Sequence, residues 1–366
     1  MKRTFMMLAL LICAVVAGFS QITDPFFEHV TYVGAFGKTD WTQGWANWNP
    51  VTTVYPATTV TVGNGSTAPS VGSNNEITAN THWSSSNSPV IGSASFTNPN
   101  LADPFFEPVN FVGAFGTYDW TQGWSNFDPQ NTVYPPVNIT VNGGHISTNT
   151  TWTSGNVYLL NGWVYVDAGV TLTIQPGTVI RGDKTNKGAL IIDRGGKLIA
   201  QGTAAQPIVM TSNQAAGSRD RGDWGGLILC GYSTINQVGG TAVIEGGVGS
   251  IYGGGTTPNN ADNSGILKYL RVEFAGYPFA PDNEINGITF GGVGNGTTVD
   301  YCQVSYSNDD SFEWFGGTVN CKHLIAFRGL DDEFDTDNGF GGKLQFLVSL
   351  RDPNVADISG SKRFRI

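Results

Sequence analysis

From about Val137 the chain alternates short apolar runs with breaks carrying Gly or Asn. VYLLNGWVYV starts at Val157, VTLTIQPGTVI at Val170, GALIIDRGGKLIAQG at Gly188 and PIVMTS at Pro207. Apolar residues at every second position predict strands with one face against a core. Gly162, Gly169, Gly177, Gly195, Gly196 and Gly202 fall at the breaks, where a turn needs positive φ or a close backbone approach. Strands this short and this regular belong to a sandwich or to a solenoid.

A second pattern decides for the solenoid. Asp309-Asp310-Ser311-Phe312-Glu313 is followed 22 residues later by Asp331-Asp332-Glu333-Phe334-Asp335. Strand-like runs flank both: LKYLRVEF from Leu267, VDYCQVSY from Val299, CKHLIAF from Cys321 and KLQFLVSL from Lys343. About 20–24 residues make one coil of a parallel β-helix. The expected fold is therefore all-β, a parallel β-helix over residues 137–366, with Phe312 stacked on Phe334 inside it. Each coil depends on its neighbours for burial, and an open end would leave strand edges unpaired.

The chain before the helix is a duplication. DPFFEHVTYVGAFGKTDWTQGWANWNP (24–50) and DPFFEPVNFVGAFGTYDWTQGWSNFDP (103–129) match at 19 of 27 positions, at an offset of 79. TVYP follows each copy, and ITANTHWSSSN at Ile77 pairs with ISTNTTWTSGN at Ile146. Residues 22–136 are thus two aromatic units joined by a Ser/Thr/Asn-rich linker, and they are candidates to cover an open end of the helix.

Residues 1–21 read as a secretory signal: Lys2 and Arg3, an apolar run from Phe5 to Val16, then Gly18 and Ser20. The run is shorter than the ~20 apolar residues of a membrane span, and Cys13 lacks the setting of a lipid anchor. The mature chain is expected to have no transmembrane segment and to be exported, extracellular or at the cell surface. Loss of that signal takes the formal charge from −10 to −12, which argues against nucleic acid as a partner. Charged residues make up only 13% and Gly numbers 49, a profile of many strands and tight turns rather than helices. Cys230, Cys302 and Cys321 remain after cleavage. Buried thiols are the favoured reading, with a Cys302–Cys321 bond as the alternative. No HxxH, HExxH or CxxC is present, so no zinc motif is legible.

Taken together, Thr150-Thr151-Trp152 leading into VYLLNGWVYVDAGVTLTIQPGTVIRG, then RGDWGGLILCG, NEINGITFGGVGNGTTVDYCQV, NDDSFEWFGGTVN and LDDEFD, resemble a group of large secreted Bacteroidetes-type proteins. The resemblance spans roughly residues 137–357. It implies a right-handed parallel β-helix, export, and often a sorting domain for type nine secretion. It implies no established activity and no catalytic residues. The chain ends soon after a strand without such a domain, so a truncated C-terminus is expected.

Two features carry candidate chemistry. Asp309, Asp310, Glu313, Asp331, Asp332, Glu333, Asp335 and Asp337 lie within 29 residues on adjacent coils. Carboxylates stacked at the strand spacing of ~4.8 Å repel by roughly 3–4 kcal/mol at an effective dielectric of 20. Neighbouring cations, a bound Ca²⁺ held by Asp310, Glu313, Asp332, Glu333, Asp335 and Asp337, or raised pKa values would relieve this. In an enzyme, Asp309, Asp310, Asp331 and Asp332 would do acid–base work. The second feature is aromatic. Trp41, Trp45, Trp120 and Trp124 are either stacking surfaces for a sugar or the small core of each unit, the core being favoured. The expected function is a secreted β-helix with a structural, adhesive or glycan-binding role. The alternative is a polysaccharide hydrolase or lyase using the Asp309–Asp337 cluster. A polysaccharide or cell-surface glycan is the expected partner of either.

Overall fold

In the computed structural model the chain divides into two compact units, residues 1–60 and 61–366. The structure describes residue 92 and residues 94–365 apart from 117, 281, 282, 353 and 359, all in the second unit. The expected signal and the first aromatic unit, with Trp41 and Trp45, lie outside the described residues.

The described part is a right-handed parallel β-helix. The first coils contain β1 (Ile139–Ile146), β2 (Thr150–Trp152), β3 (Val157–Val166), β4 (Thr171–Ile174), β5 (Val179–Gly182), β6 (Ala189–Ile192), β7 (Lys197–Gln201), β8 (Ile208–Ser212) and β9 (Gly226–Cys230). An insertion follows with the short hairpin β10 (Ala242–Val243) and β11 (Ile251–Tyr252). The later coils contain β12 (Gly265–Glu273), β13 (Pro278–Ala280), β14 (Asn283–Glu284), β15 (Ile288–Gly291), β16 (Thr298–Ser305), β17 (Phe312–Phe315), β18 (Asn320–Phe327), β19 (Phe334–Asp337) and β20 (Leu344–Leu350). Among the described residues all pairings in the main sheet are parallel, and only the two small hairpins are antiparallel.

Parallel stacking makes columns of equivalent residues. The inward column Ile146, Val166, Ile192, Leu229, Phe290, Trp314 belongs to one continuous core with Phe312 and Phe334. Phe312 and Phe334 are in register and stack at 5.4 Å, as the 22-residue spacing predicts. One outward column runs His145, Tyr165, Ile191, Ile228, Thr289, Glu313, Asp335. Its apolar middle is covered by the insertion, where Ile235, Ile244, Val248 and Tyr252 join Ile191 and Ile228 in a second cluster.

The coils bend at corners held by rings. Tyr269, Tyr301, His323 and Phe346 all have φ between 48° and 61°. They stack in sequence at 4.6, 4.3 and 4.7 Å. A bulky residue at positive φ costs about 1–2 kcal/mol, and each stacked pair returns about 0.5–1.5 kcal/mol, so the ladder offsets the strain that the bend imposes. At the bulge in the β1–β3 pairing the positive-φ positions are glycines, Gly144 at 129° and Gly162 at 107°.

The second aromatic unit lies along the flank of the helix, not across an end as the sequence suggested. Trp120 and Trp124 meet the corner rings edge-on: Trp120 is 6.2 Å from Tyr301 and 5.0 Å from His323, and Trp124 is 6.0 Å from both Tyr269 and Tyr301. Gln303 reads the backbone of Asn126 as a strand would, accepting from its N–H at 2.8 Å and donating to its carbonyl at 2.7 Å. Lys322–Glu107 and Lys343–Asp103 pairs, each at 2.7 Å, hold the outer edge. Cys230, Cys302 and Cys321 are buried free thiols. Cys302 sits opposite Leu324 and Cys321 opposite Val299, so the alternative Cys302–Cys321 bond is not formed.

Candidate functional site

Strand register gathers part of the acidic cluster and splits off the rest. Glu313 and Asp335 point outward, one above the other, on β17 and β19. Asp310 and Asp332 occupy equivalent turns before those strands, and the Asp332 N–H donates to Asp310 Oδ1 at 2.9 Å. Donor oxygens of Asp310, Asp332 and Asp335 lie within 4.8 Å of one another, as do those of Asp309, Asp310 and Asp331. Glu333 turns away from this group: it accepts from the Ser311 hydroxyl at 2.6 Å and lies 3.5 Å from Arg351. Asp337 is exposed at the strand end. The loop-like spacing Glu333-x-Asp335-x-Asp337 falls on and beside an extended strand, so it does not wrap around one point. Of the six expected calcium ligands, Glu333 and Asp337 are therefore outside the cluster.

The insertion completes the slot. It brings Glu245 against Glu313, and the buried Asn286 amide donates to both, at 2.8 and 2.5 Å. Burial pushes Glu245 up to about 7, held back by its hydrogen bonds with Glu313 and Asn286, and pushes Asp309 to about 8, where neighbouring carboxylates add to the shift. Asp335 rises to about 6, restrained by the Arg365 guanidinium. Asp310 and Glu313 are raised well above the carboxylate range, again by burial first and adjacent charge second. The described cation here is Arg365, 3.4 Å from Asp332 and 3.8 Å from Asp335. At neutral pH the slot thus retains protons on several carboxyl groups, the state required of a general acid.

On another side of the helix, the corner rings and the second aromatic unit enclose a cleft of about 400 Å³. Tyr118, Trp120, Tyr269, Tyr301 and His323 provide aromatic walls, and Glu107, Asn110, Lys268 and Asp300 provide polar groups. Asp300 bonds Lys268 at 3.2 Å and His323 Nδ1 at 2.8 Å. Tyr118 at the rim is 72% exposed. Trp120 and Trp124, by contrast, are 5% and 1% exposed. They pack as core, with Trp120 flooring the cleft, so neither offers a free face for a sugar. This matches the favoured core reading of the tryptophans. Tyr301 is likewise covered on both faces, by Tyr269 and His323, which leaves the Tyr118 ring at the rim as the accessible stacking surface.

The family model of the pectate-lyase-like beta-helix domain matches residues 144–360, well over half of the chain. The chain belongs to that family. No curated protein and no solved structure matches it.

Several residues of this β-helix domain that build the sites carry no local sequence signal. Glu245 and Asn286 lie 68 and 27 residues from Glu313 in sequence, and only the folded insertion brings Glu245 in. The corner ladder, in contrast, is readable. Tyr301, His323 and Phe346 each fall in the third or fourth position of the runs VDYCQV, CKHLIAF and KLQFLV.

Proposed function

We propose that this chain is an exported glycan-binding β-helix whose ligand lies in the aromatic cleft beside Tyr118, Tyr269 and Tyr301. The observation that carries this reading is the exposed Tyr118 ring beside Asp300, Lys268, Glu107 and Asn110 in one open cleft. Sugar rings stack on aromatic faces while their hydroxyls need such polar partners. Membership of the pectate-lyase-like family supports a glycan-related role. The apolar run and basic start of residues 1–21 support export to the cell surface or beyond. A glycan array probed with the wild type and with Tyr118→Ala tests it. Binding lost in the variant at unchanged stability supports the assignment; no bound glycan refutes it.

A second reading has an observation of its own. Carboxyl groups that hold protons near neutrality, Glu245 at about 7 and Asp309 at about 8, suit acid catalysis on a glycosidic bond. Ca²⁺ in place of those protons, on Asp310, Asp332 and Asp335, is the non-catalytic counterpart. Turnover of a polysaccharide that disappears in Asp310→Asn and Asp332→Asn would favour the enzyme. Stabilisation by Ca²⁺ without turnover would favour the metal.

A further inference from the structure

The outward column that ends in the acidic slot begins, at its other end, with His145. There His145 on β1, Asp167 after β3 and Asp193 after β6 come from three successive coils. Their donor atoms lie within 4.8 Å of one another. His145 Nδ1 is 2.6 Å from Asp167 Oδ1. His145 and Asp193 border an open cleft of about 510 Å³ that also contains Arg194 and Tyr232.

We propose that His145, Asp167 and Asp193 form a binding site for a divalent transition-metal ion of the Zn²⁺ or Mn²⁺ type. An imidazole with two carboxylates is a borderline donor set, whereas hard ions such as Ca²⁺ and Mg²⁺ take oxygen alone. Three protein donors leave coordination positions open, as in catalytic rather than structural sites. Ligands bonded at ~2.0–2.2 Å around a tetrahedral ion lie roughly 3–3.5 Å apart, so binding opens the direct His145–Asp167 contact and draws the donors around the ion, a movement that the exposed side chains of His145 and Asp167 allow.

The surroundings orient the donors. The His145 ring stacks on Tyr165 at 5.0 Å, and the Tyr165 hydroxyl donates to the Val248 carbonyl at 2.9 Å. The Ser250 hydroxyl donates to Asp193 Oδ1 at 2.6 Å, the kind of outer contact that fixes a ligating carboxylate. Both outer groups come from the insertion, which therefore serves this end of the column as well as the acidic slot. A plain surface ion pair explains less. A His145–Asp167 pair with side chains 59% and 33% exposed needs no second carboxylate, yet Asp193 adds one on the next coil. Arg194 is engaged elsewhere, donating to the Gly253 carbonyl at 2.7 Å and lying over the Tyr232 ring.

The test is equilibrium dialysis of the full chain against ZnCl₂, with bound metal measured by mass spectrometry. Visible absorption of the Co²⁺-loaded protein reports the coordination number and geometry. The expected result is one equivalent of Zn²⁺ in the wild type and in Asp335→Asn. That equivalent should be lost in both His145→Ala and Asp193→Asn, with unfolding midpoints near wild type because His145 is exposed. Ser250→Ala should bind about tenfold more weakly. No bound Zn²⁺ in the wild type would overturn the site. So would an equivalent that survives His145→Ala, or one lost only in Asp335→Asn, which would place the metal in the acidic slot.

Discussion

Glu245 and Glu313 face one another across the Asn286 amide, one from the insertion and one from the outer wall of the helix. Burial of both groups favours the form in which the pair carries fewer than two negative charges. Burial raises both groups, Glu245 to about 7. For an acid whose folded pKa lies above its unfolded value, the associated stability is complete below the unfolded pKa. It is lost as pH rises through the folded one.

Thermal unfolding in the presence of chelator should therefore show stability falling as pH rises from about 4.5 to about 8. The lower bound is the unfolded carboxylate range, and the upper reflects Glu245 at about 7 and Asp309 at about 8. Glu313→Gln should flatten this slope by removing one member of the pair. An unfolding midpoint that is flat or rises over that interval in the wild type would contradict the shared-proton arrangement.

The corner ladder predicts an inverted ranking of substitutions. Tyr301 sits at φ 53° between Tyr269 and His323. Tyr301→Val loses both stacks and keeps the strain. Tyr301→Gly loses the stacks but relieves the strain, so the glycine variant should be more stable than the valine variant by about 1–2 kcal/mol. Chemical denaturation of the two variants decides it, and equal or reversed stabilities would contradict the strain argument.

Gln303 attaches the second aromatic unit through both backbone groups of Asn126. Gln303→Ala leaves a buried N–H and carbonyl unpaired, a loss of roughly 2–4 kcal/mol. Limited proteolysis should then cut within residues 103–135 much earlier than in the wild type, while the coils remain intact. Simultaneous loss of unit and coils would mean that they fold as one.

Burial raises the thiols of Cys230, Cys302 and Cys321 above the usual range, so thiolate is scarce at neutral pH. A thiol reagent should label none of the three in the native chain and all three after denaturation. Rapid native labelling would contradict the closed core.

The β-helix was legible because stacking repeats a pattern in sequence. Phe312 and Phe334 announce their register at a spacing of one coil, and alternation marks which residues face the core. The acidic slot was half legible. Asp309, Asp310, Glu313, Asp331, Asp332 and Asp335 share the repeat, but Glu245 arrives on an insertion outside it. Glu333 shows the limit of spacing alone: it is two residues from Asp335, yet the turn before β19 sends it to Ser311 and Arg351. His145, Asp167 and Asp193 were hidden for another reason. The two aspartates follow the similar runs VYV and LII, but a single histidine in a Gly-rich strand carries no ligand motif.

Isothermal titration of a glycan selected on the array, into wild type and Tyr118→Ala, tests the proposed function most directly. Tyr118 is exposed at the cleft rim, so its removal should leave the unfolding midpoint unchanged. Loss of one stacking surface predicts affinity reduced by about tenfold, a difference of about 1.4 kcal/mol. Equal affinity in the two proteins would contradict the assignment of the aromatic cleft as the glycan site.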